Sequence, residues 1–256
     1  MRRTTASLLL ASGLVALAAI LVLLRFAVVT DYLYHGFVKD PERVAPDGPV
    51  IVAPADGTVL YVRRVEGGEI PEVVKRGVAV PLATHLRLEG GSELPSGWLV
   101  GIYMNTDGVH VNRSPVAGTL RERHFWNGPH LEMSELERKV VLGQLVPGLT
   151  SLKKLLGLPP YDIENEAEFI LASARETLLI ADERGTDVYL VRIADYTVGK
   201  ILTWVATGDA LARGQRIGMI TWGSQTDVFF ADTGATRPRV SVGDYVYGGE
   251  SVLATD

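Results

Sequence analysis

The sequence predicts a mostly β chain of the α+β class, in which an N-terminal membrane helix leads into a β-rich domain containing a sandwich of two paired hairpins. Three observations carry that prediction. One long apolar run opens the chain, short β-branched runs broken by Gly and Pro turns begin at residue 50, and a Gly-Asp pattern recurs near the C-terminus. With 256 residues, 47% of them hydrophobic, the chain can build one sizeable core beside a membrane segment.

Residues 7–29, SLLLASGLVALAAILVLLRFAVV, are interrupted only by Arg25. A helix needs about 20 apolar residues to cross a bilayer, so residues 1–30 are expected to form a retained anchor. A cleaved signal peptide fits less well, because the Ala16-Leu17-Ala18 pattern lies inside the apolar run and not after it. A buried core helix would seldom be apolar on every face. Arg2 and Arg3 on one flank and Arg25, Lys39 and Arg43 on the other are too evenly matched for the positive-inside rule. The expected location is the cell membrane, with the following domain on its cytoplasmic face.

Residues 31–49, charged and carrying Pro41, Pro46 and Pro49, read as a linker, and residues 50–256 as the domain. Strands are expected in VIVAPADGTVLYVRRV from Val50, with a turn at Pro-Ala-Asp-Gly, and again over 98–104, 187–193 and 199–205. Helix formers concentrate in Glu132 to Leu142 and Glu164 to Glu176. Between them, LVPGLTSLKKLLGLPP (145–160) reads either as an interfacial amphipathic piece with Lys153 and Lys154 near headgroups or as a helix packing Leu152, Leu155 and Leu156 on the core.

One repeat is visible. Gly208, Asp209 and Gly214 in VATGDALARGQRIG recur as Gly243, Asp244 and Gly249 in VSVGDYVYGGESVL, with Leu211 answered by Val246 and Ile217 by Val252. Two β-hairpins are expected, with Gly-Asp in the first turn and a positive φ at the second glycine. Such units resemble those of lipoyl- and biotinyl-carrier folds, and they specify architecture without activity.

Charge and composition exclude several functions. A net charge of −5 argues against a nucleic-acid surface. The absence of cysteine removes disulfides, thiol nucleophiles and cysteine-ligated metals. No His-Glu-x-x-His or calcium-loop spacing occurs, so no metal is expected.

Four separated segments carry a resemblance: GFVKDPER (36–43), APADG (53–57), VHVNRSPVAG (109–118) and GQRIGMITWGSQTDVFF (214–230). In this order and spacing the chain resembles phosphatidylserine decarboxylases, particularly the shorter prokaryotic type, from about residue 36 to the C-terminus. The resemblance implies a proenzyme that cuts itself between Gly223 and Ser224. The Ser224 hydroxyl attacks the Gly223 carbonyl, and the ester so formed is eliminated to leave a pyruvoyl group on residue 224. That covalent group is the one cofactor implied. Its carbonyl would condense with the amine of phosphatidylserine and withdraw electrons as carbon dioxide leaves, giving phosphatidylethanolamine.

A neutral hydroxyl is a poor nucleophile and needs a base. Of five histidines, His110 is the one inside a matching segment and is the candidate base. Its other reading is a strand-edge histidine with a satisfied hydrogen bond. Asp56 is the candidate orienting carboxylate, against the plain reading of an Asp-Gly turn. Arg113, where longer members carry a second histidine, and Lys200 are the expected substrate-binding cations. The chain departs from the family at Gly108, where many members have Asp, and in SARE (173–176) and IADYTVGKI (193–201), which lack the family's Asn-Glu-Arg-Asn and its arginine pair.

The expected partners are a phospholipid, the membrane and a second copy of the chain in a homodimer. Long (1–223) and short (224–256) chains should stay together after cleavage. The alternatives are a non-catalytic lipoyl-like structural domain, a relative that never matures, and a pyruvoyl decarboxylase for another amine. Neither GDALARG nor GDYVYGG holds the lysine that a carrier would modify.

Overall fold

The computed structural model describes residues 12–25, 27, 39–70, 80–88, 94–105, 108–127, 174–194, 201–221 and 224–255. Residues 12–25 form helix α1, whose Leu14, Val15, Leu17, Val22 and Leu23 are all exposed. No helix among the described residues is long and apolar enough to cross a membrane.

The first half of the domain contains β1 (Val50–Val52), β2 (Gly57–Val65), β3 (Glu69–Ile70), β4 (Val80–Pro81), α2 (Leu82–Leu86) and β5 (Gly97–Met104). There follow β6 (Val111–Arg113), β7 (Gly118–Trp126), β8 (Ala174–Asp182), β9 (Asp187–Ala194), β10 (Ile201–Thr203), β11 (Ala210–Leu211) and β12 (Arg216–Ile220). The chain ends in β13 (Ser224–Ala231), β14 (Arg237–Pro238), β15 (Tyr245–Val246) and β16 (Val252–Thr255).

Eight strands form one curled antiparallel sheet in the order β11-β7-β8-β9-β13-β5-β2-β15, a half-barrel. Two three-stranded sheets, β1-β16-β14 and β10-β12-β6, contribute Ile51, Ile217, Leu253 and Ala254 to the core formed with one face of it. Alternation along β13 sends Val228 and Phe230 into that core and Phe229 into a second cluster, with Leu82 and Leu86 of α2, on the other face.

The large sheet is internally duplicated. An offset of 61 residues carries β1 onto β6 and β2 onto β7. The 35-residue offset of the Gly-Asp repeat carries β11 onto β15. Both edges use the same pairing, Leu211 with Gly118 and Val246 with Gly57. The register slips at corresponding points, between Val59 and Tyr61 and between Leu120 and Glu122. A side chain on Gly57 would strike the Tyr103 carbonyl, and one on Gly118 the equivalent Ala181 carbonyl. At the centre, Val228 faces Leu190, with Thr226–Arg192 and Phe230–Val188 two rungs to either side. The second copy, β6 to β12, is thus inserted in unbroken order into the first, between β5 and β13.

The repeat's turns form as their sequence requires. Asp209 accepts from Ala206 N and Asp244 from Ser241 N, each at 2.8 Å, and Gly214 and Gly249 have φ of 75° and 83°. One expectation fails: Ala174 to Glu176, expected to end a helix, begin strand β8. Their buried side chains pair with β7 and β9, and tertiary pairing overrides local helix propensity. The remainder of that expected helix, the 132–142 helix and the 145–160 segment lie outside the described residues.

Candidate active site at the β12–β13 junction

Ser224 opens β13 and its backbone lies between Met104 of β5 and Ala194 of β9. Met104 and Ala194 pack with Ala55, from the Pro-Ala-Asp-Gly turn, and with Ile220, the last residue of β12. The two chain crossings between the copies, β5 to β6 and β12 to β13, meet here. His110 lies on the first and the Gly223–Ser224 bond on the second. Gly223 itself is outside the described residues.

His110 is fully buried and its carbonyl accepts from Ile220 N at 3.3 Å, which ties its segment to the end of β12. Its Nδ1 lies 3.0 Å from the Gly108 carbonyl. A carbonyl only accepts, so Nδ1 carries a proton and donates it to this bond. Asn112 reaches from the same segment to Met104 Sδ at 3.6 Å and to Arg192. A side chain at Gly108 would crowd Asp56, Asn105 and the Tyr245 hydroxyl, which accounts for glycine at that divergent position.

Asp56 is buried and does not stand alone. Arg43 grips both carboxylate oxygens, while Gly248 N at 2.8 Å and Val109 N at 3.3 Å also donate to it. Its link to the His110 segment therefore runs through the backbone of the preceding residue. The duplicated turn, Pro115 to Gly118, has Ala117 at the corresponding place, so only one of the two equivalent turns carries a carboxylate.

Arg113 is also buried. Its guanidinium donates to Asp40 at 2.8 Å and to the Pro41 and Gly214 carbonyls at 3.0 Å. Burial lowers its pKa, partly offset by Asp40. With Arg216 on Asp40 and Glu42, it fastens the Asp-Pro-Glu-Arg motif to the domain. Lys200 lies outside the described residues.

Several site-forming residues escaped the sequence reading. Arg43 ends the GFVKDPER motif, whose sequence does not show which carboxylate the arginine meets, although a carboxylate in a buried turn calls for a cation. Arg192 and Glu176 are both fully buried and paired, and Thr203 donates to Glu176 at 2.8 Å. Burial would raise the Glu176 pKa, but Arg192, Thr203 and Arg123 outweigh it and hold it below the ordinary glutamate value. Nothing in a lone Arg on a strand announces such a pair.

Residues 33–254 match the family profile described as Phosphatidylserine decarboxylase. The chain belongs to the phosphatidylserine decarboxylase family. It is 31% identical over 219 residues to the phosphatidylserine decarboxylase proenzyme of Nitrosomonas europaea, covering 85% of this chain and 76% of that one. With the proenzyme of Erythrobacter litoralis it shares 32% over 221 residues, 85% and 71% of the two chains. The proenzyme of Trichlorobacter lovleyi is similar over a longer stretch, 28% over 249 residues, or 96% and 88%. All four motif segments fall within the span that matches the family.

Proposed function

We propose that this carboxy-lyase cleaves itself at Gly223–Ser224 and converts phosphatidylserine to phosphatidylethanolamine at a pyruvoyl group made from Ser224. The observation that carries the reading is the convergence on Ser224. The Pro-Ala-Asp-Gly turn, the end of β5, the His110 segment and the end of β12 meet where β13 begins.

In maturation, His110 Nε2 takes the proton of the Ser224 hydroxyl, which then adds to the Gly223 carbonyl. Asp56, fixed by Arg43, holds the backbone of Val109 and so the approach of His110. A pyruvoyl group on residue 224 would supply the electron sink for loss of carbon dioxide from the substrate. Met104 and Ala194, the strand partners of residue 224, pack with Ala55 of the Pro-Ala-Asp-Gly turn. His110 returns a proton to the substrate carbon after carbon dioxide departs. Lys200 is the proposed headgroup cation, and Arg113 positions the Asp-Pro-Glu-Arg motif.

Residues 1–30 serve as the membrane anchor and hold the domain, 50–256, at the cytoplasmic face. The exposed apolar sides of α1 support the anchor. The Gly-Asp units, each backed by a strand pair, β10 with β12 and β14 with β16, fit a paired-hairpin sandwich of the lipoyl and biotinyl kind.

Intact-mass measurement tests the reading. Purified protein should give chains 1–223 and 224–256, the second blocked by a pyruvoyl group, and Ser224→Ala should give one uncleaved chain without activity on phosphatidylserine vesicles. A single full-length species from the unaltered sequence would defeat it.

A further inference from the structure

Asn105 is 1% exposed and immediately follows Met104, the strand partner of Ser224. Its amide oxygen accepts from Thr58 Oγ at 3.1 Å, and its backbone carbonyl accepts from Gly108 N at 2.9 Å. Thr58 thus orients the side chain, and Gly108 fixes the backbone that carries it. Its Nδ2, with two N–H donors, meets no acceptor among the described residues. Buried amide donors are almost always paired, because leaving one unpaired weakens the fold. One retained at a reactive junction calls for an acceptor that arises during the reaction. The duplication sharpens the point. Tyr103 corresponds to Ala181, so Asn105 corresponds to Glu183, an exposed residue of the β8–β9 turn. The donor occurs only in the copy that leads to the reactive serine.

We infer that the Asn105 side-chain amide is the oxyanion donor of self-cleavage. This rests on the proposal that Ser224 Oγ attacks the Gly223 carbonyl. In that step the Oγ–C bond forms, the hydroxyl proton passes to the base, and the carbonyl π pair moves onto oxygen. Collapse breaks the C–N bond, the nitrogen takes up a proton, and an ester joins Gly223 to the Ser224 oxygen. Negative charge on the former carbonyl oxygen peaks within this step, where a preplaced buried N–H stabilises it most.

The test follows fragment 224–256 by intact mass after synthesis of the proenzyme, with and without hydroxylamine, which cleaves an ester but leaves an amide. Asn105→Ala should slow fragment release by about 10²–10³-fold, the usual effect of losing one such donor. Hydroxylamine should not restore release, because the ester itself forms slowly. Asn105→Ser, which keeps one donor, should recover part of the rate. Melting of Asn105→Ala should match that of the uncleaved Ser224→Ala protein. Release at the normal rate, or ester that accumulates and is released by hydroxylamine, would overturn the assignment. If Asn105→Ala does not fold, Thr58→Val decides: loss of the orienting bond should slow release about ten-fold, and an unchanged rate would overturn it. Cleavage that persists in Ser224→Ala would instead remove the parent reading.

Discussion

Arg43 meets Asp56 with two prongs, Nη1 on one carboxylate oxygen and Nη2 on the other at 2.8 Å, while Nη1 also donates to the Gly248 carbonyl at 2.8 Å. Burial alone would lower the arginine pKa, but the hydrogen bond and charge of Asp56 raise it above its ordinary value. The pair joins the segment before β1 to the Pro-Ala-Asp-Gly turn. It also holds Gly248, from the chain's last hairpin, against both.

Arg43→Met should be costlier than the loss of a surface ion pair. It strands a buried carboxylate with only backbone donors, and removing one partner of such a pair typically costs about 3–5 kcal/mol. Self-cleavage should slow in step, since Asp56 loses its fixed direction. Arg43→Lys keeps the charge but offers no fork and should fall between the two. Urea unfolding of the Ser224→Ala proenzyme gives the stability term, and the time course of the 224–256 fragment gives the maturation term. Equal stability for Arg43→Met and the parent would contradict the role.

The Arg192–Glu176 pair predicts a pH dependence of stability. The folded-state pKa of Glu176 lies below 4.5. Its stabilising contribution is therefore full above that value and is lost as pH falls through it toward the folded pKa. Glu176→Gln should remove this part of the dependence, giving a flatter melting curve as pH falls below the ordinary glutamate value. Near neutral pH the variant should melt lower, because Arg192 is left buried without its anion. Parallel curves for the two proteins would show that the pair does not titrate with unfolding.

Much of this architecture was legible in the chain, and the limits have physical causes. The 35-residue repeat showed because Gly-Asp turns demand particular residues wherever they occur. The 61-residue repeat, Val50 to Val65 over Val111 to Trp126, is hidden in the sequence, because strands tolerate any side chains that alternate correctly and only Val50, Pro54, Gly57 and Thr58 recur as Val111, Pro115, Gly118 and Thr119. Ser224, His110 and Asp56 stood out by their motifs. Arg43 and Asn105 did not, since their roles depend on partners 13 and 47 residues away in the chain. Glu176 carries local helix propensity yet lies in a strand, because its partner, Arg192, sits across a strand pair.

Gly218 in the Gly-Gln-x-x-Gly-Met-Ile segment has a packing reason. A side chain there would run into the Leu202 carbonyl and the Arg192 guanidinium. Arg192 passes beneath β12 at this point to reach Leu202 O at 2.9 Å. Gly218→Ala should force the strand or the guanidinium aside and cost about 1–3 kcal/mol, as overpacking does elsewhere. Urea midpoints of the uncleaved proteins measure it. Because β12 leads directly to the proposed cleavage site, maturation should slow as well. An alanine accommodated without loss would mean that Arg192 can withdraw freely.

Cleavage between residues 223 and 224 should not release the short chain. β13 pairs with β5 from Ser224 to Ala231 and with β9 from Ser224 to Phe230, so it lies in the interior of the eight-stranded sheet. Val228, Phe229 and Phe230 are fully buried, and β15 and β16 add pairs to β2 and β1. Burial of three such side chains is worth about 1.5–3 kcal/mol each, and removing the strand would also leave two ladders of backbone groups without partners. The two chains should therefore co-elute in gel filtration at high salt and separate only over the urea range in which tertiary structure is lost. Phe230→Ala should lower that midpoint by about 3–5 kcal/mol of stability without separating the chains in buffer. Dissociation well below the unfolding transition would mean that the new chain ends loosen β13 before the core gives way, and that the central strand is held by its covalent connection more than by its neighbours.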